Sequence, residues 1–228
     1  MIELELPRDA PLGVLCALPG ELGSLRRAAT ATRAVLGLEF LELEVAGRRV
    51  LACAGGVGKA AAAGAAAALL GEGARGLLVV GTCGGLRRGL VTGTLVHCRV
   101  AFQADLAVRE ARQFESRAAW RAAWRAVAPG PEGWFLTADR PVLTPWRRLR
   151  LARAFAGPCV ADMETAAAAA VAARAGLPWA ALRAVTDGAG VGTARAFRRN
   201  YPTQAGRAAD SVVELLGGPA APPSALRR

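Results

Sequence analysis

Short apolar runs ending in glycine or an acid alternate along this chain with longer helical patterns, and that alternation restricts the folds open to it more than any other feature. Runs such as LGVLCAL (12–18), GLLVVGT (76–82) and PWAALRAVT (178–186) read as strands, and the stretches between them are long enough to return as helices. Strands are expected at 12–18, 38–46, 48–54, 76–82, 91–98, 133–138, 158–162 and 178–186. Helices are expected at 21–30, 58–71, 117–127, 145–156, 163–175 and 204–216. The pattern argues for a largely parallel or mixed sheet covered by helices, in one α/β domain over 1–216. The stretch GGPAAPPSALRR at 217–228 has the composition of a disordered end. The alanine runs KAAAAGAAAALLGEG and TAAAAAVAARAG suit helices packed close against a sheet.

Charge excludes less than its size suggests. The net charge is +11, and of 29 Lys+Arg residues only Lys59 is lysine, which is the usage of a GC-rich genome. The pairs Arg26/Arg27, Arg87/Arg88, Arg147/Arg148 and Arg198/Arg199 are scattered rather than gathered beside stacking aromatics, so they read as solvated surface and no nucleic-acid partner is expected. Cys16, Cys53, Cys83, Cys98 and Cys159 fall singly, without a C-x-x-C pair or histidines at metal spacing. They read as small buried hydrophobes in a reducing compartment, and no metal is expected. The single histidine, His97, ends a strand-like run and is assigned no chemistry. No signal core is visible and no run reaches the ~20 apolar residues of a bilayer span, so a cytoplasmic protein with no membrane partner is expected.

Four strand or helix junctions carry residues suited to a site. AGGVGKAAAAG (54–64) is a glycine turn into a helix, but a phosphate loop needs glycine in place of Cys53 and Ser or Thr in place of Ala60. VVGTCGGLRRG (79–89) ends a strand on the Thr82 hydroxyl, and Gly84 lets the backbone approach an oxygen-rich ligand. VADMETAAAAAVAARAG (160–176) places Asp162, Met163 and Glu164 at a helix start, where acids by themselves read as caps. LRAVTDGAG (182–190) delivers Thr186 and Asp187 from a strand into a glycine loop. Each has an ordinary structural reading; independent accidents would rarely produce the whole series in this order.

With GVLCALPGEL, GGVGKAAAA, VVGTCGGL, ADMETAAAA and LRAVTDGA in sequence, the chain resembles the nucleoside phosphorylase and nucleosidase superfamily. It looks most similar to the 5'-methylthioadenosine/S-adenosylhomocysteine nucleosidase branch, with the likeness running from about Leu12 to Asp187. The resemblance implies a three-layer α/β/α domain with a mixed, twisted central sheet, no organic cofactor and no metal, a small-molecule nucleoside substrate, and a homo-oligomer, dimer or larger. It also implies roles. Asp187 would donate a proton to the purine, Thr186 would orient that acid, and Glu21 would activate water. Glu164 would accept hydrogen bonds from the ribose hydroxyls, Met163 would lie on the apolar sugar face, and Thr82 and Gly84 would line the same site.

Val80 precedes GTCGG and no arginine lies within AGGVGK, which tilts the nucleophile from phosphate towards water, although Arg87 and Arg88 could lean back into the site. In the base-binding stretch LTADRPVLT the family's stacking aromatic is replaced by Pro141, with Val142 beside it, which implies a pocket short of one ring. That stretch also resembles a hopanoid-associated branch of phosphorylases. Asp162 is expected to serve the helix end.

Overall fold

The computed structural model describes residues 6–7, 9–108 and 112–217, so the expected tail lies, apart from Gly217, outside the described residues. The strands are β1 (Leu12–Cys16), β2 (Ala31–Val35), β3 (Leu38–Val45), β4 (Arg48–Ala54), β5 (Leu77–Gly85), β6 (Leu95–Gln103), β7 (Gln113–Glu115), β8 (Glu132–Thr137), β9 (Cys159–Asp162) and β10 (Trp179–Asp187). The helices are α1 (Gly23–Ala28), α2 (Lys59–Gly71), α3 (Ala118–Val127), α4 (Pro145–Arg153), α5 (Thr165–Arg174), α6 (Thr193–Gln204) and α7 (Arg207–Leu215).

All ten strands form one mixed sheet, and β5 is its pivot. The first half of β5 pairs in parallel with β1, which continues in parallel to β4 and then through antiparallel β3 to β2. On its other side β5 runs parallel to β10 along its length, and beyond β1, on the β1 side, Gly84 and Gly85 pair antiparallel with β9. β9 leads to β8, β8 to β6, and β6 returns to β10, so half of the sheet closes on itself. A register shift between Val185 and Asp187 bends β10 where it leaves that seam.

Helices cover both faces. α2 and α5 pack through Ala62, Ala65, Ala66, Ala166 and Ala169 beside Leu15, Val79 and Val185, and their small side chains allow close approach. Leu25 of α1, Trp120 and Trp124 of α3 and Ala208, Ala209 and Val212 of α7 cover the opposite face with Val14, Leu78 and Leu182. This is the expected α/β architecture with a mixed central sheet.

The departures have local causes. The helix expected at 21–30 is a 3-10 turn over Pro19–Leu22 followed by α1, because the Glu21 carboxylate folds back onto the Ala17 and Leu18 amides. Residues 31–35 form the edge strand β2, which is mostly exposed and so carries no apolar alternation to read. The strand expected at 91–98 is β6, displaced towards the C-terminus, and β7 was not anticipated. Nor was α6, which buries none of its residues and holds Pro202 near its end. His97 is buried with Nε2 2.8 Å from the Ala128 carbonyl, and burial lowers its pKa to about 4.

Candidate active site

The C-terminal ends of β5, β9 and β10 open into a cavity of about 510 Å³. Glu21, Thr82, Gly84, Val142, Met163, Glu164, Thr186 and Asp187, the eight anticipated residues, all line it. Parallel strands place their loops at one end of a sheet, and residues distant in the chain meet there.

Glu21 is 1% exposed and held by four donors. Its Oε2 accepts from the Ala17 and Leu18 amides at 3.0 and 3.1 Å, and its Oε1 accepts from the Thr82 amide and hydroxyl, both at 2.8 Å. Gly81 makes that position available: at φ 145° it has no side chain, and a Cβ there would lie 2.9 Å from the Glu21 carboxylate atoms. Glycine is required at 81 for an acid to sit against β5.

The Thr82 carbonyl accepts from Arg183 Nη1 at 3.0 Å, which ties this corner to the next. Arg183 is 1% exposed on β10, a residue the sequence reading did not single out. Its Nε lies 3.1 Å from both Thr165 Oγ1 and Asp162 Oδ2. Its Nη2 lies 3.1 Å from Glu164 Oε2. The N–H is off axis and makes no hydrogen bond, so that contact is a charge pair only. Asp162 also accepts from the Thr137 hydroxyl at 2.5 Å and from the Thr165 hydroxyl. This corrects the expectation that Asp162 serves the helix end: its oxygens are spent on Arg183 and two threonines. Glu164 occupies the N-cap position of α5 without a side-chain capping bond.

Glu164 Oε1 accepts from the Gly58 amide at 3.0 Å, at the N-terminus of α2, where the helix dipole favours an anion. Burial pushes its carboxyl above the usual carboxylate range, with Arg183 opposing and Asp162 adding to the shift. The turn behind Gly58 is fastened by Lys59, whose amide donates to Asp139 Oδ1 at 2.9 Å and whose Nζ donates to Asp105 Oδ1 at 2.7 Å.

Asp187 sits opposite this cluster. Its Oδ1 accepts from the Ala189 amide at 2.8 Å, and its Oδ2 lies 2.9 Å from the Thr186 hydroxyl. That hydroxyl is also 3.2 Å from the Cys83 carbonyl and has one proton for two acceptors. It can donate to an ionised Asp187, or donate to Cys83 while accepting from a protonated Asp187. Both hydrogen-bonding arrangements are open to it without moving a heavy atom.

One expectation changes here. Arg87 does not line the cavity; its Nη2 donates to the Phe155 carbonyl, and Arg88 is likewise absent from the lining. Pro141 and Val142 line the cavity as read from the sequence, and Phe197 of α6, which the sequence analysis does not name, faces it together with Arg198. Arg183 had one readable signal, as the sole charge in the apolar run WAALRAVT. No group of three or more His, Cys, Asp or Glu that could hold a metal occurs among the described residues.

The chemistry open to this arrangement is narrow. A carboxylate cluster on one wall stabilises positive charge and holds hydroxyl groups, while a single acid on the other can protonate a leaving group.

Comparison with known proteins bears on the whole chain. The sequence model of the phosphorylase superfamily matches residues 11–217. No protein of curated function matches in sequence. Among solved structures, the 5'-methylthioadenosine/S-adenosylhomocysteine nucleosidase of Neisseria meningitidis is 25% identical, with a TM-score of 0.84 over 91% of this chain and 98% of that one. The S-adenosylhomocysteine nucleosidase of Streptococcus pyogenes is 21% identical, with a TM-score of 0.86 over 91% and 96%. The futalosine hydrolase of Helicobacter pylori is 19% identical, with a TM-score of 0.86 over 91% and 97%.

Proposed function

The chain belongs to the phosphorylase superfamily, and on that basis we propose that it is an N-ribosyl hydrolase. Its reaction is cleavage of the N-glycosidic bond of a purine nucleoside, 5'-substituted in the manner of methylthioadenosine or S-adenosylhomocysteine, with release of the base. The observation that carries this reading is the charge balance of the buried wall. Glu21, Asp162 and Glu164 face one guanidinium, Arg183, so the cluster sums to −2 when all are ionised (three negative, one positive). That wall favours an oxocarbenium-like sugar and disfavours a phosphate dianion.

In the proposed cycle Glu164 accepts hydrogen bonds from the ribose 2'- and 3'-hydroxyls, and these strengthen as the ring gains charge. Met163 lies against the apolar sugar face. Asp187 gives its proton to the base as the glycosidic bond breaks, and Thr186 rotates to follow it. Water adds to the anomeric carbon with Glu21 accepting its proton. The ~four lone-pair sites of that carboxylate are filled as it stands, so acceptance needs the Thr82 hydroxyl to turn off Oε1.

A phosphorylase is the second reading, favoured by Arg140 and Arg198 at the cavity's edge. Product analysis with and without phosphate decides: free ribose sugar in both buffers is expected, and ribose 1-phosphate formed only with phosphate would overturn the hydrolase. A homo-oligomer is part of the same proposal, drawn from the resemblance. Residence in a reducing, cytoplasmic compartment is supported by five free, buried cysteines.

The pH dependence follows from Glu164. Its folded pKa is raised, so ionisation costs stability: the fold loses stability as pH rises from the unfolded pKa of ~4.3 through the folded value, and regains it as pH falls. Activity has the opposite sign, because protonation removes the acceptor for the ribose hydroxyls. The kcat/KM profile should fall on the acid side at a pH above the ordinary carboxylate range, and Glu164→Gln should lack that limb. A wild-type acid limb at ~4 or below would contradict the assignment.

A further inference from the structure

The cavity opens onto a face that the proposed reaction does not explain. On α4 the solvent side is the stripe Trp146, Leu149, Arg150 and Arg153, at helical spacing of three, four and seven residues. Trp146 is 75% exposed and Leu149 41%, and Leu143, 49% exposed, stands between them and the cavity it lines. Across the mouth, α6 follows Val191, which is 86% exposed, and presents Arg195 and Arg199 to solvent. Neither helix contains an acidic residue. Among the described residues none of these arginines is in an ion pair, whereas Arg26, Arg33, Arg121, Arg125 and Arg183 elsewhere in the chain are each paired.

We propose that this face docks on an anionic lipid surface, with Trp146 and Leu149 entering the headgroup boundary and the arginines of α4 and α6 meeting lipid phosphates. Large apolar side chains interleaved with unpaired cations are what an interfacial helix needs, and the two acid-free helices complement anionic headgroups at a gain on the order of fivefold in affinity per arginine near the surface. A single-stranded nucleic acid would use the cations but calls for successive aromatic platforms, and Trp146 is the one large exposed ring here. The absence of a helix able to cross a membrane among the described residues does not bear on attachment of this kind. Docking in this orientation sets the cavity entrance against the lipid interface. The face stands apart from the catalytic reading, since Trp146, Arg150 and Arg153 do not line the cavity.

The test uses the full chain with vesicles of phosphatidylglycerol or of phosphatidylcholine alone. Co-sedimentation with the anionic vesicles only, weakened by salt, is expected. A blue shift of tryptophan emission should accompany it and be largely lost in Trp146→Phe, because Trp120, Trp124 and Trp179 are buried and Trp134 is half-buried against Arg99 and Phe155. Arg150→Glu with Arg153→Glu should weaken vesicle binding by about 30-fold or more while turnover of a soluble nucleoside stays within about twofold of wild type, being remote from the cluster. Equal binding to neutral vesicles, or none to anionic ones, overturns the proposal. So does displacement from vesicles by RNA at lower concentration, which would assign the face to nucleic acid, or a concentration-dependent dimer abolished by the same pair of variants, which would assign it to a second copy.

Discussion

Asp187→Asn is expected to lower kcat by about 10²- to 10⁴-fold, the range in which a positioned general acid contributes, with little change in nucleoside affinity. Asparagine keeps the shape of the side chain. Its Oδ1 can still accept from the Ala189 amide at the 2.8 Å position, and its amide group can face the Thr186 hydroxyl, which then donates to the Cys83 carbonyl. What it lacks is a transferable proton. The leaving base must then depart without one, and the rate of that step falls while the contacts that hold the substrate survive. Single-turnover release of base together with calorimetric binding of a non-cleavable nucleoside separates the two effects. Turnover within fivefold of wild type would remove Asp187 from the role of acid; lost affinity with unchanged kcat would make it a binding group only.

The second large effect concerns stability. Arg183→Met should destabilise the fold by about 3–5 kcal/mol, the usual consequence of removing one partner from a buried ion cluster, seen as a fall in Tm of roughly 6–20 °C. Methionine fills similar space, so the loss is electrostatic: Asp162 and Glu164 would face each other with their common cation gone, and the Thr82 carbonyl would lose its donor. Asp162 retains donors from Thr137 and Thr165, so adding Asp162→Asn to Arg183→Met should recover part of the loss by removing one uncompensated charge. A Tm unchanged by Arg183→Met, or a double variant less stable than the single, would show that the cluster is not held by this guanidinium.

Much of this was legible in the sequence because ends of strands are local features with strong punctuation. Thr82, Gly84, Thr186 and Asp187 each follow a run of buried residues and precede a glycine or a turn, and strand topology then gathers such ends. Glu21 was placed by resemblance, yet the means of holding it depends on Gly81 and Thr82, sixty residues away, and no local pattern reports that. Asp162 misled for a related reason: a helix start offers an acid an easy local role, and only the tertiary approach of Arg183 outcompetes it. α6 left no trace because a helix with no buried residue has no apolar period, so Phe197 stayed hidden with it. β2 is the strand counterpart of the same limit.

The seam at β5 has a further consequence. Because that strand is bonded to β1, β9 and β10 at once, the framework that holds Glu21 and Arg183 on one side of the cavity and Asp187 on the other cannot yield without breaking the ladder on several sides. The remaining boundary includes α6, which lies against β10 and is tied to it where Asn200 donates to the Thr186 carbonyl at 2.7 Å. Any breathing that admits a nucleoside or frees a base must therefore come from above, with the acids acting as a fixed anvil beneath a roof that lifts.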